Sequence, residues 1–149
     1  MRAVIQRISR ACVRIGNEEY SSVNEGLLVL LGVEKGDTLA DAVYILDKTV
    51  HLRIFEDEQG KMNKSLLDID GEMMVVSQFT LLGDCTKGRR PSFVNAEEPA
   101  QANNLYEYFI KEAAKKLKKL QTGKFQKMMQ VELINNGPVT LLLDSRKSC

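Results

Sequence analysis

Two short stretches place polar or conformationally special residues inside otherwise apolar runs. "SQFTL", 77–81, closes the apolar run "EMMVV" with Ser77, Gln78 and Thr80 around Phe79. "NNGPVT", 135–140, sets Asn135, Gly137 and Pro138 between "VELI" and "LLLD". Hydroxyls and backbone N–H groups at the end of a buried strand can hold a ligand at a sheet edge; the bland alternative is simple solvation of that edge. A hydroxyl without a base beside it is a poor nucleophile, which suits Thr80 to hydrogen bonding rather than attack. Proline cannot donate to a β-ladder and glycine weakens a strand interior, so Gly137-Pro138 reads as a turn joining two strands, or as backbone with a task.

Other candidate chemistries are thinner. His51 is the only histidine and falls inside the first predicted helix, with no second histidine or cysteine to share a metal. There is no G-x-S-x-G elbow, so triad chemistry is set aside. Cys85 stands near Lys87, Arg89 and Arg90, which can lower a thiol pKa, but a thiol nucleophile still lacks a base. "TKGRRPSF", 86–93, gathers those three cations and Phe93 in a Gly/Pro loop. It is either a solvated loop or a contact for nucleic-acid phosphates. Lys111, Lys115, Lys116, Lys118 and Lys119 either extend that surface or form the wet face of a helix.

The elements around these residues are legible from periodicity. "AVIQRI" and "ACVRIG" read as two early strands, and "GLLVLLGV" as a strand buried on both faces. Leu39, Val43, Leu46 and Val50 make one helical stripe, entered through a capping box of Thr38 and Asp41. Asp70-Gly71 is a turn before the strand "EMMVVSQFTLLG". A second helix carries Ala102, Leu105, Phe109, Ala113 and Leu120, with lysines toward its end and Gly123 as its stop. "MMQVELI" and "VTLLLD" close the chain as strands. The order predicts an α+β or mixed α/β protein with a sheet curled around a core.

At 149 residues the chain is expected to be a single domain, 1–149, able to bury a core without disulfides or metals. Net charge +1 excludes a broadly basic nucleic-acid binder, so any basic surface must be local. Cys12, Cys85 and Cys149 are odd in number and form no CxxC pair, which fits a reducing compartment. The charged start "MRAVIQRISR" is no signal peptide, and no run approaches the ~18–20 apolar residues of a membrane span. A soluble, cytoplasmic protein with no membrane association is the expectation.

With "SQFTL" and "NNGPVT" both in hand, the chain resembles the D-aminoacyl-tRNA deacylases, esterases that strip D-amino acids from tRNA. The likeness extends through "MRAVIQR", "LLGVEKGDT", "LRIFEDEQGKMNKSLLDI", "VVSQFTL", "KGRRPSF" and "NNGPVTLLLDS". It implies a curled, barrel-like, mainly antiparallel sheet with two main flanking helices, no cofactor or metal, and a homodimer with active sites at the subunit interface. It implies that Ser77, Gln78, Phe79 and Thr80 form the catalytic wall. Gly137 and Pro138, joined by a cis bond and lent to the partner's pocket, would select against L-substrates. Arg7, Asn135, Val139 and Thr140 would support them, and Lys87, Arg89, Arg90 and Phe93 would contact tRNA. It further implies assistance by the tRNA 2′-hydroxyl and leakage of glycine through the chiral filter. Where family members commonly read TG-x-FGA-x-M, this chain has "TGKFQKMM", with Gln126 and Lys127 at the Gly-Ala positions, and Asn136 stands where Asp is frequent. The competing readings are a Thr80 or Cys85 hydrolase of small amino-acid esters, and a non-catalytic module that binds RNA or a DNA-replication partner.

Overall fold

The computed structural model describes residues 1–147; Cys149 lies outside them. Strands β1 (Arg2–Ile15), β2 (Glu18–Val23) and β3 (Gly26–Gly32) lead to helix α1 (Leu39–His51), then β4 (Phe55–Glu56), β5 (Met62–Lys64) and β6 (Glu72–Ser77). A 3₁₀ turn (Phe79–Leu82), helix α2 (Pro99–Ala114), β7 (Leu120–Thr122) and β8 (Gln130–Asp144) complete the order.

β1 pairs antiparallel with β2, β3 and β8, while β3, β6 and β7 run parallel. Parallel neighbours need a crossover, and α1 and α2 supply the two that are required. Ser21 Oγ donates to the Thr122 carbonyl at 2.7 Å, drawing β2 toward β7 and nearly closing the sheet. Most pairings are thus antiparallel, two helices flank the sheet, and the curled architecture expected from the sequence is present.

Alternation along β3 and β6 builds two cores. Leu27, Val29, Leu31, Met73 and Val75 join Ile45, Val50, Leu105 and Phe109 of the helices. Leu28, Met74 and Val76 face the other way, against Ile8, Val13 and Val23. Burial on both faces explains why these strands read as continuous apolar runs. β1 and β8 change sides midway. Ala3 and Ile5 of β1, with Val139, Leu141 and Leu143 of β8, serve the helix-side core. Ile8, Ala11 and Val13, with Val131 and Leu133, serve the inner one. One end of this strand pair is tied where the Met1 α-ammonium donates to Asp37 at 2.7 Å and to Ser145 Oγ at 2.8 Å.

Several local expectations are corrected. "AVIQRI" and "ACVRIG" form the single strand β1, and "EEYSSV" pairs back on it as β2, which periodicity missed. The capping box stands, with the Thr38 N–H donating to Asp41 Oδ2 at 2.8 Å. The buried face of α1, however, is Ala42, Ile45, Leu46, Thr49 and Val50, leaving Leu39 53% and Val43 47% exposed. α2 stops at Ala114, because residues 115–119 must descend to place Leu120 beside Met73 in a parallel ladder. Lys118 and Lys119 there pair with Asp70 and Glu72, and Gly123 ends β7 rather than a helix. Among the described residues no helix is long and apolar enough to cross a membrane.

Tyr106 anchors α2 to the sheet, its buried hydroxyl donating to the Val75 carbonyl at 2.9 Å. Burial, then the charge of Glu107, pushes its phenol above the usual range. The unfolded chain therefore ionises near 10.0 while the folded chain keeps its proton. Stability from this group is intact below that pH and falls as pH rises past it. Tyr106→Phe is expected to cost about 1 kcal/mol at neutral pH and to flatten the alkaline loss, read by urea denaturation between pH 7 and 11.

Candidate active site

β6 ends at Ser77. The Gln78 N–H still donates to the Leu31 carbonyl at 2.8 Å, after which the chain tightens: Leu81 N–H reaches the Gln78 carbonyl at 3.2 Å and Gly83 N–H the Thr80 carbonyl at 3.0 Å. The expected SQFTL strand is therefore a strand end followed by a 3₁₀ turn. Gly32 makes room for it, since a Cβ there would lie 2.6 Å from Leu82 Cδ2 and 2.9 Å from the Gln78 carbonyl oxygen. Gln78 Nε2 donates to Thr80 Oγ1, holding the two side chains together. Because Gln78 spends its N–H on β3, it is unavailable as a backbone donor. The N–H groups of Phe79 and Thr80 have no partner among the described residues.

Phe79 is 56% exposed and meets Phe93 edge to face, ring centroids 5.2 Å apart. That contact seats the cationic loop against the turn. The neck of the loop is closed by reciprocal backbone bonds between Asp84 and Ser92 at 2.8 and 3.0 Å. Hydrogen bonds from the Thr86 hydroxyl and N–H hold the Asp84 carboxyl below its ordinary range. Lys87, Arg89 and Arg90 are exposed and form no ion pair among the described residues.

The second group sits in β8. The two runs on either side of Gly137-Pro138 are one strand, and both pair with β1: Ile8 faces Asn135 and Gln6 faces Thr140. Arg7 alone stands against Asn136, Gly137, Pro138 and Val139, so the stretch expected to be a turn is a loop-like bulge. Arg7 is 6% exposed. Its Nε donates to the Asn136 carbonyl at 2.9 Å and its Nη1 to the Ile54 carbonyl at 2.6 Å. Asn135 Oδ1 accepts the Val139 N–H at 2.8 Å, and Asn135 Nδ2 donates to Thr140 Oγ1 at 2.9 Å. Gln6 Nε2 reaches the same hydroxyl at 3.4 Å. The Gly137–Pro138 peptide bond is cis, and both residues are exposed at the tip of the bulge.

The structure thus gathers Gln78, Phe79, Thr80, Phe93 and the 86–93 loop at one place, and Arg7, Asn135, Gly137, Pro138, Val139 and Thr140 at another. Within the chain no hydrogen bond, ion pair or ring contact joins the two groups among the described residues. Sequence reasoning missed Gln6 and the Ile54 carbonyl; a carbonyl leaves no trace in residue type. His51 stands at the exposed end of α1, its Nδ1 2.8 Å from the Asp47 carbonyl oxygen, and takes no part in either group. Cys12 is buried, and burial followed by the charge of Glu132 pushes its thiol up, away from the reactive thiolate.

The overall fold has counterparts among solved structures. A solved structure titled "c-Myc DNA Unwinding Element Binding Protein" superposes with a TM-score of 0.92 at 40% identity, covering 97% of this chain and 98% of the other. A second, titled as a probable eukaryotic D-amino acid tRNA deacylase, shares the fold at a TM-score of 0.80 and 16% identity, covering 95% and 97%. The chain belongs to the D-Tyr-tRNA(Tyr) deacylase family, whose model matches residues 4–144. It is 56% identical over 147 residues to the D-aminoacyl-tRNA deacylase of Syntrophus aciditrophicus, and 57% over 148 residues to that of Clostridioides difficile, covering 99% of each chain.

Gly137 adopts φ +133, and a Cβ there would lie 2.9 Å from Arg7 Nη2 and from Val139 Cγ2. Gly137→Ala is expected to lower stability by about 1–3 kcal/mol through backbone strain and displacement of the guanidinium, measured by urea denaturation.

Proposed function

We propose that this chain hydrolyses the ester of D-aminoacyl-tRNA, releasing the D-amino acid and tRNA, and spares the L-ester. The observation that carries the reading is family membership over residues 4–144, with D-aminoacyl-tRNA deacylases at 56% and 57% identity as relatives. The geometry supports it. An aminoacyl ester is already activated, so its hydrolysis needs an oriented water and donors for the developing oxyanion more than a covalent nucleophile. The unpartnered N–H groups of Phe79 and Thr80 suit the oxyanion, and the terminal ribose 2′-hydroxyl of the tRNA assists the water. Ser77 and Gln78 shape that wall. Thr80 as nucleophile is disfavoured, because its hydroxyl is engaged by Gln78 and no base stands beside it.

Selectivity falls to Gly137 and Pro138. A side-chain-free bulge brings main-chain atoms close to the substrate Cα, where an L-side chain meets backbone oxygens and a D-side chain points away. Glycine, with nothing to reject, passes as a second substrate. The bulge acts on the partner subunit's turn, in a homodimer with sites at the interface. Support comes from the exposed tip of the bulge and from β8, whose outer edge pairs with no strand of this chain among the described residues. Ile134 is 61% and Leu142 67% exposed along that strand. Lys87, Arg89, Arg90 and Phe93 contact the tRNA end, and the cytoplasm, where charged tRNA is used, is the compartment.

Deacylation of D- and L-tyrosyl-tRNA tests the reading. The D-ester is expected to turn over at least a hundredfold faster, Thr80→Ala to stay within about tenfold of the unaltered enzyme, and Gly137→Ala to lose at least tenfold in discrimination. Tight tRNA binding without turnover would favour a non-catalytic module, and near-complete loss in Thr80→Ala a nucleophilic threonine. For the dimer, Ile134→Glu with Leu142→Glu is expected to yield monomers on sedimentation and to lose activity in parallel.

A further inference from the structure

We propose that the loop from Gly123 to Met129 is a second phosphate-binding arm, through which Lys124 and Lys127 grip the ribose-phosphate backbone that the 86–93 loop contacts from the other flank. The inference rests on the tRNA reading above and adds to it a surface on a different strand.

The placement follows from the parallel sheet. β6 lies between β3 and β7, so chain leaving the carboxyl ends of these strands emerges at one edge, where open α/β sheets place their ligands. The Gln78-Phe79-Thr80 turn leaves the middle strand. On one flank, the segment that follows the cationic loop is stitched to the end of β3: Lys35 N–H donates to the Asn95 carbonyl at 2.9 Å and Glu97 N–H to the Val33 carbonyl at 3.0 Å. On the other flank, the 123–129 loop leaves β7, with Phe125 packed on Tyr106 at 6.0 Å between ring centroids. Two loops therefore bracket the turn.

The second loop is held in shape. Lys127 N–H closes a turn onto the Lys124 carbonyl at 3.2 Å, with Gln126 at φ +58 in its third position, the pattern of a type II turn. Lys124 N–H donates to Met129 Sδ at 3.3 Å, and Gly123 leaves space for that thioether, where a Cβ would come within 2.7 Å of it. A left-handed backbone is unfavourable for glutamine, so the turn is sustained by its surroundings. Lys124 and Lys127 are exposed, and neither forms an ion pair among the described residues, in contrast to Lys118 and Lys119. Together with Lys87, Arg89 and Arg90 they gather unpaired positive charge at one edge of a chain whose net charge is only +1. A polyanion lying across the turn would meet cations on both sides.

The test compares Lys124→Ala/Lys127→Ala with the unaltered enzyme on two substrates, D-tyrosyl-tRNA and D-tyrosyl-adenosine, the latter lacking phosphates. Binding of uncharged tRNA is measured separately across salt concentrations. The expected result is a KM for D-tyrosyl-tRNA raised about tenfold with kcat within about twofold, and unchanged turnover of D-tyrosyl-adenosine. The slope of log affinity against log salt should become shallower by about 1–2, one phosphate contact contributing roughly 0.7–0.9. An unaltered KM and salt slope, or equal losses on both substrates, would overturn the inference while the deacylase reading stands. Failure of that reading is seen instead in the unaltered enzyme, as no turnover of D-tyrosyl-tRNA, and the salt slope then still decides whether this loop binds RNA.

Discussion

The buried guanidinium of Arg7 is the contact on which the rest turns. A cation 6% exposed needs strong partners, and no carboxylate pairs with it among the described residues. Its hydrogen bonds go to carbonyls, those of Asn136 in the bulge of β8 and Ile54 just beyond α1. Hydrogen bonds from a charged donor are worth about 1.5–3 kcal/mol each, but only when the acceptors are already in place. Arg7 therefore couples three distant pieces of chain: its own strand, the exit of α1 and the bulge. Lysine would keep the charge and lose the fork that reaches both carbonyls.

The same point organises the sheet. A strand that slips by one residue turns every side chain to the opposite face. β1 and β8 both make this exchange beside Arg7, so that Ile5 and Leu141 serve the core under the helices while Ile8 and Leu133 serve the inner core. An uninterrupted ladder would leave half of each strand facing the wrong way. The bulge is thus a corner of the curled sheet before it is anything else, and its tip is exposed because the extra residues have no partner to lie against. In the proposed reaction this corner is also the selective element, solvent-facing at its tip while Arg7 and Asn135 hold its base through hydrogen bonds.

How much of this was legible in the sequence depended on which physical signal each part leaves. The apolar runs of β3 and β6, the capping box at Thr38 and the turn at Asp70-Gly71 announce themselves through side chains. The single long β1 did not, because its alternation breaks at Ile8 and Arg10, where the strand crosses between cores. Nor did the continuity of β8, since proline and glycine speak for a turn unless the pairing of both flanks with one strand is known. The helix expected to run on to Leu120 stops at Ala114, because Leu120 keeps the apolar spacing after the chain has turned toward β7. Residue types pointed to SQFT and Gly-Pro, and resemblance alone joined them; the carbonyls that position Arg7 and the backbone donors at Phe79 and Thr80 are invisible to any reading of side chains.

If the bulge discriminates through main-chain atoms, the identity of the D-side chain goes unread, and the pocket can draw little binding energy from it. Glycine is the limiting case, offering no side chain at all. The affinity for such substrates must then come from the part they share, which is the nucleic acid. Charge is the economical source, because phosphate contacts are indifferent to both sequence and amino acid. A nearly neutral chain would supply it from the unpaired cations on the loops beside the turn, whereas Lys115, Lys118 and Lys119 are tied to Glu112, Asp70 and Glu72. Backbone selection at the amino acid and electrostatic grip on the tRNA would then be one design: the first removes a source of affinity, and the second replaces it.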